Sequence, residues 1–197
     1  MSVNFADLGI EQKLIETLSN LNIVTPTPVQ EKSIPHVLEG KNLLAAAQTG
    51  TGKTAAFGLP IIQTVQQKKL NGTPQALVLV PTRELAQQVF DNLNQYSAQT
   101  ELRIVCVYGG TSIGVQKRKL EEGADILIAT PGRLLDHLFN GNVNISKTSM
   151  LVLDEADRML DMGFWPDLQR IFRLFPAEKQ ILLFSATFEK RIKTIAY

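Results

Sequence analysis

Ala47-Gln48-Thr49-Gly50-Thr51-Gly52-Lys53-Thr54 joins an apolar run, Asn42 to Ala47, to a segment of helical periodicity, Lys53 to Gln67. Glycines at such a junction let successive backbone N–H groups converge on one point, and the start of the following helix adds a dipole that favours anions. The octet fits the pattern G-x-x-x-x-G-K-(S/T) except at its first position, where Ala47 stands in place of Gly. In that pattern Lys53 neutralises the β- and γ-phosphates of a nucleotide and the Thr54 hydroxyl ligates magnesium. A phosphate site is therefore expected where a strand ends and a helix begins.

The alternation continues away from this point. Strand candidates are Asn42 to Ala47, Ala76 to Val80, Arg103 to Tyr108, Asp125 to Ala129, Met150 to Leu153 and Gln180 to Phe184. Helix candidates lie at Lys53 to Gln67, Arg83 to Tyr96, Ile113 to Glu122, Leu134 to Phe139 and Pro166 to Leu174. Short apolar runs separated by helical segments predict an α/β fold, a mostly parallel sheet flanked by helices. Ile10, Leu14, Ile15 and Leu18 recur at helical spacing, so a further helix is expected to pack ahead of the first strand. Lys68 to Gln75 and Asn140 to Asn144 are polar, carry Gly or Pro, and read as surface loops. No repeat or low-complexity tract interrupts the pattern.

The length of 197 residues suits one domain, and 44% apolar residues suffice for a sizeable core. With 20 basic and 19 acidic residues the net charge is +1, so any nucleic-acid contact has to be local rather than driven by a long-range field. Cys106 is the single cysteine and lies in the apolar run Ile104 to Val107 as a small core residue. Met1 to Gly9 lacks the basic and apolar regions of a secretory signal. Apolar runs such as Leu77 to Val80 fall far short of the ~20 residues that cross a bilayer. A soluble, reducing, cytoplasmic setting with no membrane partner is expected. His36 and His137 show no metal-ligand spacing, and Phe164 with Trp165 reads as packing at a helix start.

A second charged element, Asp154-Glu155-Ala156-Asp157, follows the apolar run Met150 to Leu153. Its first carboxylate should emerge at the C-terminal edge of the sheet, where ligands of open α/β sheets bind. There Asp154 can hold a magnesium shell, and Glu155 can orient or deprotonate an attacking water. Lys53, Asp154 and Glu155 are thus the candidate catalytic set.

Asp154-Glu155-Ala156-Asp157 is also the tetrapeptide after which DEAD-box helicases are named, and other segments agree in order. Thr25-Pro26-Thr27-Pro28-Val29-Gln30 resembles that family's adenine-sensing Q motif, with Phe5 at the position of its upstream aromatic. Pro81-Thr82-Arg83-Glu84-Leu85-Ala86, Gly109-Gly110 and Thr130-Pro131-Gly132-Arg133 resemble its RNA-contacting motifs. Ser185-Ala186-Thr187 resembles the motif that couples ATP hydrolysis to strand separation. The resemblance covers essentially the whole chain. Ala47 is common at its position in the family, whereas Ile23 stands where an aromatic is usual. Arg158 to Phe164 is worded most like the bacterial RhlE-type members.

The resemblance implies a RecA-like P-loop NTPase domain over residues 1–197, with 1–31 as the N-terminal flank and Q motif. It implies ATP and Mg2+ as cofactors, ATP being held by Phe5, Thr25, Gln30 and the loop Ala47, Gln48, Thr49, Gly50, Thr51, Gly52, Lys53 and Thr54. Magnesium falls to Thr54 and Asp154, partly through water. RNA, recognised by sugar and phosphate rather than sequence, falls to Pro81, Thr82, Arg83, Gly109, Gly110, Thr130, Pro131, Gly132 and Arg133. Coupling falls to Asp157, Ser185 and Thr187. A Gln amide can accept from adenine N6–H2 and donate to N7, whereas guanine offers two acceptors, so Gln30 is expected to select ATP over GTP. No Asn-Lys-x-Asp guanine-reading motif is present. Members carry a second RecA-like domain with arginine fingers, so one is expected beyond Tyr197. Unwinding and ATP-dependent clamping of RNA stay open as alternatives.

Overall fold

The structure, a computed structural model, describes residues 1–196 and the side chains of residues 1–195. Strands β1 (Leu43–Ala46), β2 (Ala76–Leu79), β3 (Ile104–Val107), β4 (Ile126–Ala129), β5 (Met150–Asp154) and β6 (Gln180–Ser185) form one sheet in the order β1-β6-β5-β2-β4-β3. Every neighbouring pair is parallel. Helices α1 (Gln12–Asn20), α2 (Pro28–Leu38), α3 (Lys53–Gln66) and α4 (Arg83–Tyr96) cover one face. The other face carries α5 (Ile113–Glu121), α6 (Pro131–Phe139), α7 (Ala156–Asp161), α8 (Trp165–Arg173) and α9 (Lys190–Ala196). No helix among the described residues is long and apolar enough to cross a membrane.

Side chains alternate across a strand, so each central strand feeds two cores. Ala76 and Val78 of β2, with Met150 and Val152 of β5, pack among α1 to α4. Leu77, Leu79, Leu151 and Leu153 pack under α5 to α9. Burial on both faces is why these strands are unbroken apolar runs instead of polar–apolar alternations. The edge strand β1 alternates between half-buried and exposed positions, with Leu44 39% exposed.

The expected strands all form, within a residue or two at their ends. β5 runs one residue further than expected and carries Asp154 into the sheet at 0% exposure. Helices α2 and α7 were not among the expected segments. The signal for α2 lay in Thr27-Pro28-Val29-Gln30: Thr27 stands at the N-cap, Pro28 supplies the fixed φ of the first turn, and the Gln30 side chain accepts from Thr27 N. Pro35 inside α2 masks the helical pattern downstream. α7 has six residues, too short to display a period.

Register places the chemistry. Ala46 lies opposite Ser185, Leu153 opposite Leu183 and Leu79, and Ala129 opposite Leu79 and Val107. The strands therefore end close to one level, with β1 and β6 running two residues past Leu79, Val107 and Ala129, and the segments that begin at residues 47, 80, 108, 130, 155 and 186 all leave from one edge of the sheet.

Candidate functional site

The loop from Ala47 to Gly52 turns through two left-handed glycines, Gly50 at φ 83 and Gly52 at φ 82. Only glycine adopts these angles without steric cost. At Gly52 the crowding is also external, since an added Cβ would meet Gln30 Nε2 at 2.6 Å and Thr27 Oγ1 at 3.0 Å. The loop is tied at its start, where Ala47 N donates to Ser185 O at 3.2 Å, and inside, where Thr51 Oγ1 donates to Gln48 O at 2.7 Å. Gln48, Thr49 and Gly50 are exposed, and Thr54 is half-buried in the first turn of α3.

Lys53 is 6% exposed, and its ammonium lies 3.0 Å from Asp154 Oδ1 and 3.4 Å from Glu155 Oε1. The first contact is an ion pair without hydrogen-bond alignment, for neither Asp154 oxygen has a hydrogen-bond partner among the described residues. Burial pushes the Asp154 carboxyl above its ordinary pKa, and Lys53 pulls it partly back. A fully buried carboxylate whose facing charge is the Lys53 ammonium is suited to a cation and its water shell, so Asp154 fits magnesium, with Thr54 half-buried beside Lys53 in the first turn of α3. Glu155 sits in the left-handed region at φ 54 and ψ 51, an unfavourable conformation for a non-glycine residue. Its Oε1 faces Lys53 and its Oε2 accepts from Arg158 Nη1 at 3.3 Å. Lys53, Glu155, Asp157 and Arg158 line a cavity of about 350 Å3 with Ala47, Gln48, Thr49 and Ala186.

A larger groove of about 990 Å3 runs between α2 and the open edge of β1 and reaches Gln48, Gly50 and Thr51. Two expected adenine contacts line neither cavity. Phe5 is 2% exposed and belongs to the core under α1 to α4. Its ring anchors the N-terminal flank on that core, where burying an aromatic is worth more than leaving it in water. Gln30 is 4% exposed. Its Oε1 accepts from Thr27 N and its Nε2 donates to Gly52 O, each at 3.0 Å. The amide thus holds the phosphate loop against α2. Thr25 is exposed, ahead of that helix.

The residues expected to couple the site meet directly. Asp157 N donates to Ser185 Oγ at 3.2 Å, Ser185 Oγ donates to Thr187 O at 2.7 Å, and Thr187 Oγ1 donates to Asp157 Oδ2 at 3.4 Å. Further along the edge, Thr82 caps α4 by accepting from Leu85 N at 3.2 Å. The exposed Arg83 stacks 5.2 Å above the Tyr108 ring, whose hydroxyl donates to Gln87 Oε1 at 3.1 Å. Gly109, Gly110 and Thr111 are exposed in the turn after β3. Pro81, Thr130 and Pro131 are buried beneath the edge, with Gly132 half-buried beside them. Arg133 faces inward at 13% side-chain exposure and donates to Thr111 O at 3.0 Å. Arg158, Tyr108 and Gln116 are neighbours of these groups that the motif reading passed over. Only Arg158 left a sequence signal, three residues after Glu155 on what proves to be a helix.

A nucleotide-type loop, a buried acid opposite its lysine and the Asp157–Ser185–Thr187 triangle thus share one sheet edge. Residues 27–195 match the DEAD/DEAH box helicase family. The chain belongs to that family. The DEAD-box ATP-dependent RNA helicase RhpA of Helicobacter pylori (strain B128) is 48% identical over 193 residues, 98% of this chain and 39% of the relative. The ATP-dependent RNA helicase DeaD of Escherichia coli (strain K12) is 47% identical over 192 residues, 97% of this chain and 30% of its own. A crystal structure of a DEAD box protein from the hyperthermophile Methanococcus jannaschii superposes with a TM-score of 0.92 at 39% identity, covering 98% of this chain and 52% of that one. The DEAD-box fold here is accordingly the RecA-like one, and the chain spans well under half the length of these curated relatives.

Proposed function

We propose that this chain is the ATP-binding domain of an ATP-dependent RNA helicase, with residues 1–31 as its flank and Q motif. ATP binds with magnesium at the Lys53–Asp154 cleft, RNA binds the neighbouring loops, and hydrolysis drives local opening of RNA duplexes in a two-domain parent. The observation that carries this reading is the meeting of Lys53 with Asp154 and Glu155 at 3.0 and 3.4 Å, immediately after the phosphate loop. The family membership and the names of the relatives support it.

Each residue's work follows from its place. Lys53 leaves the carboxylates for the β- and γ-phosphates, while the loop amides around Gly50 and Gly52 cradle them. The Thr54 hydroxyl and Asp154, the latter partly through water, would hold magnesium, which neutralises phosphate charge when bound. Glu155, freed from Lys53 on one oxygen and steadied by Arg158 on the other, orients and deprotonates the attacking water. Asp157, Ser185 and Thr187 connect the helix that starts at this glutamate to the end of β6, so a shift at the γ-phosphate reaches both. For Gln30 to read adenine, its amide exchanges Thr27 N and Gly52 O for N6–H2 and N7, which links base identity to the hold on the loop.

Calorimetry with ADP and GDP in the presence of magnesium tests the reading. ADP is expected to bind far more tightly than GDP, and Gln30→Ala to erase the difference. Equal affinities in the wild type would remove Gln30 from base recognition, and no binding of either nucleotide would overturn the site.

A further inference from the structure

Gln116 and His137 belong to none of the segments that carry the family resemblance, yet they are buried between two of the loops read as RNA-contacting. Gln116 is 6% and His137 0% exposed. Gln116 Nε2 donates to Tyr108 O at 2.9 Å and to Thr111 Oγ1 at 2.8 Å. With its amide hydrogens committed there, Gln116 Oε1 accepts from Arg133 Nη1 and from His137 Nε2, each at 3.1 Å. Those partners assign His137 as the neutral Nε2–H tautomer, and its Nδ1 then accepts from Asn142 Nδ2 at 3.0 Å. Burial first, and Arg133 second, lower the His137 pKa, while Asp136 opposes them. The ring is therefore held in the form that this geometry requires.

Arg133 is the outlet of the network. Its Nη1 also donates to Thr111 O at 3.0 Å, and its Nε lies 3.6 Å from Asp136 Oδ2. A guanidinium that grips phosphate presents its fork outward, whereas this one is turned toward the chain. Its effect on the surface is instead to pin the turn that follows β3. Tyr108, fixed through its carbonyl by Gln116, carries Arg83 on its ring 5.2 Å away. Three segments of the sheet edge are thereby locked to one buried amide.

We propose that Gln116 and His137 are positioning residues for RNA, which act through Arg133 and the Tyr108 and Thr111 carbonyls to set the Gly109–Thr111 turn against the start of α6. Backbone N–H groups and hydroxyls of those two segments, rather than the Arg133 fork, then meet the ribose–phosphate backbone. The inference rests on the RNA-binding reading above.

The test measures binding of a fluorescein-labelled oligouridylate to residues 1–197 at low salt, with ADP affinity followed alongside. Gln116→Leu is expected to weaken RNA binding by roughly tenfold, the effect of losing about one net hydrogen bond's worth of free energy, with ADP affinity unchanged. The same substitution placed in Arg133→Ala should cost less than in the wild type, since the Gln116–Arg133 tie is already gone and only the bonds to Tyr108 O and Thr111 Oγ1 remain to lose. Gln116→Glu, which keeps the acceptor for Arg133 and His137, should recover part of the loss. A general packing defect would instead add to Arg133→Ala and move ADP binding too. Arg83→Ala separates the two readings. If it leaves RNA affinity untouched, the RNA face itself is wrong and the inference falls with it; if it weakens binding while Gln116→Leu does not, the positioning role alone is refuted. Ring nitrogen NMR of the wild type needs no variant: a charged His137 at neutral pH, or the Nδ1–H tautomer, would overturn the network as assigned.

Discussion

Glu155 combines a left-handed backbone at φ 54 with a side chain clasped by Lys53 and Arg158. Such a conformation costs about 1–3 kcal/mol and persists where surroundings over-determine it. Here those surroundings aim the carboxylate into the cleft. In this chain joined to a second RecA-like domain as proposed, Glu155→Gln should leave ATP binding intact and slow phosphate release by about 10²–10⁴, the usual share of a positioned base. Turnover within a few-fold of wild type would take the water away from Glu155. His137 bears on stability instead. Its folded pKa lies below the 6.5 of an exposed ring, so between the two values the unfolded chain binds the extra proton and stability rises with pH. Acidification from neutrality should therefore begin to destabilise the fold as pH passes about 6.5 and continue down to the folded value. His137→Gln, which gains no proton, should show a shallower fall in urea midpoint over that range, and an unchanged slope would place the proton elsewhere.

Elements are positioned by packing as tight as that around single residues. Helices α3 and α4 approach closely because α3 carries Gly58, where a Cβ would stand 2.4 Å from Leu93 Cδ2. Leu93 is fully buried and has little room to yield. Two effects oppose each other in Gly58→Ala: helix propensity favours alanine by about 1 kcal/mol, and overpacking costs about 1–3 kcal/mol. The clash is expected to win, with a net loss of about 1 kcal/mol in chemical denaturation. Adding Leu93→Ala should cost less in the Gly58→Ala background than in the wild type, because the new methyl fills part of the space. Additive losses would mean that the helices move apart rather than press on each other. α3 begins at Lys53, so its seating also sets where the lysine reaches.

Across the whole molecule, the cleft holds a glycine-turned loop, a buried acid and a cavity-lining glutamate but little free positive charge. Among the described residues Arg158 is the one arginine lining the cavity, and it is paired with Glu155. An arginine finger supplies about 10³–10⁵ of the rate of phosphoryl transfer, roughly 4–7 kcal/mol of barrier. Residues 1–197 alone should therefore be nearly inert as an ATPase and insensitive to single-stranded RNA, while the same residues joined to a second RecA-like domain turn over and respond. Steady-state phosphate release with and without RNA checks both halves. RNA-stimulated turnover by residues 1–197 alone would show that the missing charge comes from within this domain.

The local chemistry was legible in the sequence because its causes are local. Gly50, Gly52 and Lys53 shape a phosphate loop over a few bonds, and apolar runs of four to six residues become buried parallel strands wherever helices can cover both faces. Asp154 could be placed at a strand end for the same reason. What the sequence left open depends on partners far along the chain. Lys53 finds Asp154 because β6 enters the sheet between β1 and β5, an order that no short window encodes. Phe5 turned inward because the first residues dock on a core built later in the chain, and spacing from Gln30 says nothing of which way a ring faces. The inward turn of Arg133 was likewise not readable from its own segment. Tertiary packing brought Thr111 and Gln116 within hydrogen-bonding distance of its guanidinium, and a buried cation takes the donors' nearest acceptors rather than solvent.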